Sequence, residues 1–144
     1  MNIAILSKLT GANVTNPRDV INRGYNGSIS ATAGCLIKTQ SVYSICMGTV
    51  LAVGKNPTTS AWCVTVEVDS QRWVRYCNLS ATNVLVGANL KDNDFIGYAY
   101  NNLMQFEYCT SAKSKFPVRA LTYQLYKNDP TPILFGQINL FEVI

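Results

Sequence analysis

Val64, Val66 and Val68 alternate with Thr65, Glu67 and Asp69. Successive side chains on a β-strand point to opposite faces, so this pattern sets one dry face and one wet face. Asp69-Ser70-Gln71 then supplies a turn, and residues 72–77 a return strand. Gly87 and Gly97 punctuate two further short apolar pieces. Residues 48–107 are thus predicted to form a compact β-meander around which the rest of the chain is arranged.

The flanking segments carry the same strand signals. Cys35–Lys38, residues 44–53 and residues 103–109 are apolar and β-branched or aromatic, and residues 118–126 alternate cleanly. Gly54 to Ser60 and Leu90 to Asp94 have loop and turn composition. No pattern of helical period persists beyond a turn or two. One domain over residues 1–144 is expected, all-β, an antiparallel sandwich or partly open barrel. Within it, residues 1–21 read as an N-terminal arm or edge strand and residues 22–133 as the core. Residues 134–144 read as a terminal strand or docking tail.

Composition narrows the partners. Only 14% of residues are charged and 48% are hydrophobic, which favours a surface meant for another protein. Twelve Lys/Arg against eight Asp/Glu give +4, and the cations cluster only at Arg72/Arg75 and Lys113/Lys115. Neither a nucleic-acid footprint nor a membrane-binding surface is expected from that pattern. Five cysteines with no C-x-x-C spacing, several inside strand patterns, read as free buried thiols of a reducing cytosol. The N-terminal residues lack the basic start and long apolar core of a signal peptide.

The chain has no histidine. That removes Ser-His-Asp and Cys-His nucleophilic sites and every histidine zinc site. Glu67 and Asp69 lie two apart, as residues of a solvated strand face do. Asp92-Asn93-Asp94 lacks the glycine and closing glutamate of a calcium loop. No glycine pattern fits a nucleotide cradle. Trp73 and Arg75 share one strand face, an arrangement that can stack bases or sugars.

The wording of the meander carries a resemblance. Gly48-Thr49-Val50, Val64-Thr65-Val66, Tyr76-Cys77-Asn78-Leu79-Ser80, Val86-Gly87, Phe95-Ile96-Gly97 and Leu103-Met104-Gln105-Phe106-Glu107 follow one another in order. This resembles the lysostaphin-type zinc endopeptidases, cell-wall peptidases of the duplicated-hybrid-motif fold, whose core includes Y-x-H-L-S and H-x-H-F-E. Asn128-Asp129-Pro130 is similar to the family's closing D-P element, and residues 22–26 can be laid on its early H-x-G-x-D. The resemblance spans residues 22–133. It places the metal-binding His and Asp on Asn22 and Asn26, and a catalytic His on Asn78. The two histidines of H-x-H-F-E fall on Leu103 and Gln105. Every one is replaced, so the resemblance implies a peptidase scaffold with no zinc, no cofactor and no catalytic residues.

The expected function is therefore a non-enzymatic structural protein of a bacteriophage virion, in the tail hub, baseplate or tail tip. It would be made in the host cytoplasm and bind other tail proteins, or itself in a ring. The alternative is a peptidoglycan- or glycan-binding module that keeps the groove without the chemistry. Trp73, Tyr98 and Tyr100 are the expected groove contacts, and Phe141, Val143 and Ile144 an apolar tail for docking.

Overall fold

The computed structural model of the protein describes residues 3–16, 19–20, 35–69, 72–109, 134–135 and 138–139. In chain order the elements are α1 (Ile3–Thr10), β1 (Cys35–Lys38), β2 (Ser41–Tyr43), β3 (Gly48–Lys55), β4 (Trp62–Asp69) and β5 (Arg72–Thr82). Then come β6 (Asn89–Leu90), β7 (Phe95–Ala99), β8 (Leu103–Cys109), β9 (Leu134–Phe135) and β10 (Ile138–Asn139).

The valine alternation does what its period requires. Val64 and Val66 are fully buried, while Thr65 and Glu67 on the other face stay partly exposed, and Val68 near the strand end is only partly buried against the core. β4 pairs antiparallel with β5 through Val64↔Tyr76, Thr65↔Arg75 and Val66↔Val74. β3 lies on the other side of β4, and β8 on the other side of β5. The main path of the eight-stranded sheet runs β1-β8-β5-β4-β3-β6, with β7 joined to both β2 and β5. Among the described residues β9 and β10 pair with each other. The antiparallel β class expected from sequence holds, in its open form.

One face of the sheet carries the core: Val50, Val64, Val66, Val74, Tyr76, Met104 and Phe106 pack together. Tyr76 is fully buried, yet its hydroxyl oxygen accepts a hydrogen bond from the Ile45 amide at 3.1 Å. The neighbouring Ser44 hydroxyl donates to Cys46 O at 2.7 Å. Burial of polar groups is tolerated here because each has a partner. That local bonding also bends residues 44–47, so the strand predicted over 44–53 begins only at Gly48. At Gly97, facing Thr82 across the β5–β7 ladder, any side chain would run into the Ala81 carbonyl, which fixes glycine there.

The N-terminal segment corrects a sequence expectation. Residues 3–10 form a helix, not an arm or edge strand. Leu6 and Leu9, three apart on one helical face, are completely buried in the core. Gly11, at φ 67°, closes the helix by donating its N–H to Ser7 O at 2.9 Å. Eight residues hold too few turns to display a helical period, and the apolar run alone looks like a strand. The predicted strand over 118–126 and the tail over 140–144 lie outside the described residues.

Candidate functional site

β5 changes partners along its length. Residues 73–77 pair with β8, and residues 79–82 with β7. The changeover falls at Asn78, whose φ is 61°. Asparagine is among the few non-glycine residues that enter this left-handed region readily. The Asn78 carbonyl accepts the Tyr100 N–H at 2.8 Å. Its side-chain Nδ2 donates to Leu103 O at 2.7 Å and, at 3.4 Å, to Tyr100 O. The β7–β8 turn between those two residues has Asn101 and Asn102 at φ 52° and 56°, as a tight primed hairpin requires. Asn78 thus ties that turn to β5.

Beside Asn78 a row of residues crosses four strands. Gly54 pairs with Cys63, and Cys77 pairs with Gln105. Continuing the β4–β5 register of Val64↔Tyr76 brings Cys63 opposite Cys77. The two are joined as a disulfide, with Cα atoms 4.1 Å apart. This corrects the reading of all five cysteines as free thiols. Among the described residues the free cysteine is the buried Cys46. The correction was within reach, because a hairpin turning at residues 69–72 with this register makes positions 63 and 77 face each other.

Cys63, Cys77 and Gln105 of this row form the floor of a groove of about 410 Å³, and Gly54 stands beyond its lining. Its wall comes from the β3–β4 connection, through Asn56, Thr59, Ala61 and Trp62. Asn56 shapes that wall: its Oδ1 accepts the N–H of Thr58 at 2.8 Å and of Thr59 at 3.3 Å. The Lys55 ammonium lies 5.6 Å from the Trp62 ring centroid. Among the described residues of the lining Arg75 is the one charged side chain; amides, a hydroxyl, an indole and the disulfide make up most of the rest.

The positions singled out in the sequence distribute unevenly. Asn78 and Gln105 line the groove, and Leu103 adjoins it through its carbonyl without lining it. Asn22, Asn26, Phe141, Val143 and Ile144 lie outside the described residues. Trp73 is only 6% exposed and does not line the groove, which corrects its reading as a contact. Tyr98 and Tyr100 are about half-exposed but also lie off the lining. Tyr98 instead packs edge-on against Phe95, and Phe95 against Tyr43. The aromatic residue of the groove is Trp62, which the sequence signals only as the residue just after a polar loop.

A zinc ion does not fit the described residues. Leu103 has no donor atom, Asn78 has committed its amide nitrogen to backbone carbonyls, and Gln105 offers a neutral amide. Zinc sites use thiolate, imidazole and carboxylate. The one sulfur pair in the groove is a disulfide, and no described cluster of three His, Cys, Asp or Glu could hold a metal.

No protein-family profile and no curated protein matches this chain. Solved structures do. A zinc-containing peptidase from Vibrio cholerae is 26% identical with a TM-score of 0.52, over 61% of this chain and 29% of that one. A point mutant of the catalytic domain of the prophage-encoded protein EnpA from Enterococcus faecalis is 13% identical with a TM-score of 0.53. That match covers 61% of this chain and 75% of the domain. Lysostaphin is 19% identical with a TM-score of 0.54, over 67% of this chain and 43% of its own. The chain thus spans under a third of the Vibrio peptidase and under half of lysostaphin. The fold is that of the lysostaphin-type peptidase domains.

Proposed function

We propose that this chain is a non-enzymatic protein built on a lysostaphin-type scaffold, working by protein–protein assembly as a tail hub, baseplate or tail-tip component of a phage virion. The reading rests on Asn78. Where the resemblance puts a catalytic histidine, an amide holds the β7–β8 turn to β5 instead. A side chain committed to backbone carbonyls is a structural element, not a proton carrier. Fold and chemistry separate readily in this way. The prophage-encoded EnpA domain among the similar folds favours a phage setting. Met47, Leu51, Leu85 and Val86 are exposed apolar side chains available for contact with neighbours.

The experiment is a paired one. Protein purified with added zinc is analysed for bound metal and incubated with purified peptidoglycan, with released amines measured. No stoichiometric zinc and no release are expected; either one overturns the non-enzymatic reading. Mass measurement by light scattering, alone and with candidate tail proteins, then tests assembly.

The groove favours a second reading, as a peptidoglycan- or glycan-binding module. Trp62 beside amides and a hydroxyl is the chemistry that holds sugars and peptide backbones. Retention on purified cell walls, lost on Trp62→Ala, is the expected result of that reading. Absence of retention counts against it.

A further inference from the structure

The floor of the groove holds a reactive bond. Cys63 and Cys77 both line it and neither is fully buried, so the disulfide is reachable from solvent. Disulfides are opened by a thiolate that approaches a sulfur from the side opposite its partner. The row Gly54–Cys63–Cys77–Gln105 decides which sulfur can be approached so. Beyond Cys77 stands the Gln105 side chain, itself part of the lining. Beyond Cys63 stands Gly54, which is exposed, and among the described residues nothing lies within 4 Å of where its Cβ would be. One end of the bond thus faces a residue with a long side chain and the other a residue with none. Arg75 lines the groove two residues from Cys77 on the same strand face, where a cation favours departure of sulfur as thiolate.

We propose that the Cys63–Cys77 disulfide is a thiol-exchange site, attacked at Cys63 over Gly54 with Cys77 as the leaving sulfur. The incoming thiolate, from a small dithiol or a peptide bearing two cysteines, bonds to Cys63 Sγ as the Cys63–Cys77 bond breaks. The electron pair leaves on Cys77 Sγ, which takes a proton from water. A second thiol of the reductant then attacks its own sulfur in the mixed disulfide and releases Cys63 as a thiolate. Two reductant thiols become one disulfide, and one protein disulfide becomes two thiols. Cys46 takes no part: it is fully buried on the core face, where burial pushes its thiol up to about 12. The exchange unlinks β4 from β5 at the floor of the groove and leaves the flanking ladder pairs, Trp62↔Leu79 and Val64↔Tyr76, in place.

The full chain, purified without reductant, is treated with glutathione, quenched in acid, alkylated and mapped by mass spectrometry. The glutathione adduct is expected on Cys63 and the alkyl group on Cys77. Adduct on Cys77, or evenly on both, overturns the assignment, as does recovery of two free thiols before treatment. Reduction by dithiothreitol is then timed for the wild type and Gly54→Leu. The variant is expected to react roughly tenfold more slowly when folded and at the wild-type rate in denaturant. Equal rates when folded overturn the approach over Gly54. Gln105→Ala checks the other end: adduct appearing on Cys77 in that variant is expected, and its absence removes the covering role of Gln105.

Discussion

Tyr76 and Cys77 are neighbours in the chain and belong to two different proteins in miniature. Tyr76 lies in the row Val53–Val64–Tyr76–Phe106, with Val64, Tyr76 and Phe106 all but closed to water. Cys77 lies in the next row, Gly54–Cys63–Cys77–Gln105, of which Cys63, Cys77 and Gln105 line an open groove. The pleat alone separates them. The buried row consists of the hydrophobic positions that the fold needs. The groove row carries Gln105, one of the positions to which the resemblance assigns a histidine, and Asn78 lies beside it. A chain can thus share the fold of the lysostaphin-type domains with Asn78, Leu103 and Gln105 at the positions to which the resemblance assigns histidines.

The difference is best broken at Tyr76. Tyr76→Ala removes a fully buried ring that packs against Phe106 at 6.0 Å and strands the Ile45 amide. A loss of about 3–5 kcal/mol is expected in urea unfolding, from cavity formation alone. A loss under about 1 kcal/mol would mean that this row is not the core.

The same side of the sheet sets an alkaline limit. Burial, then the Asp92 charge, raises the Cys46 thiol from 9.0 to about 12, with Lys8 opposing; burial also pushes the Tyr76 hydroxyl up. Both groups are held neutral in the folded state and ionise sooner once unfolded. Their contribution is fully present below pH 9 and is lost as pH rises towards about 12. The slope is up to about 1.4 kcal/mol per pH unit for each group. Cys46→Ala is expected to flatten part of that decline between pH 9 and 11, in urea titrations at each pH. An unchanged slope would show that Cys46 is not held neutral.

How much of each row could be read beforehand follows from how far its causes lie apart. The buried row is written locally, in the alternation of Val64 and Val66 and the turn at 69–71, so β4 and β5 were legible. The disulfide was legible in principle, since it needs only the hairpin register. The role of Asn78 was not. Its partner Leu103 lies 25 residues on, beyond β6, β7 and a turn made by two asparagines with positive φ. The helix at residues 3–10 escaped for a different reason: Leu6 and Leu9 reveal their shared face only once the sheet beneath them exists. The groove wall escaped too, because Asn56 acts through backbone N–H groups, which composition does not show.

Asn78 stands next to the groove row, where β5 changes partners, and its loss tests the middle of the scale. Asn78→Ala removes the bond to Leu103 O and places alanine at φ 61°. The cost expected is about 1–3 kcal/mol. Asn78→Gly keeps the backbone conformation available and loses the side-chain bond, so it is expected to cost less than alanine if backbone strain dominates. Equal costs would assign the whole effect to the amide. Circular dichroism melts of the three proteins give the ranking.

The smallest effect is expected at the far end of the groove row. Gly54 is on a strand, is exposed, and has open space where a Cβ would go. Glycine in a strand gives up more chain entropy on folding than alanine does and packs nothing. Gly54→Ala is therefore expected to be neutral or to stabilise by up to about 0.5 kcal/mol. Gly97, also on a strand, faces the Ala81 carbonyl, and the same change there is expected to destabilise. The pair sharpens the contrast beyond burial: identical substitutions on one sheet should differ in sign, according to whether the position answers to packing or to the groove. If Gly54→Ala destabilised as much as Gly97→Ala, the groove row would be as constrained as the core. The openness above Cys63 would then need another explanation.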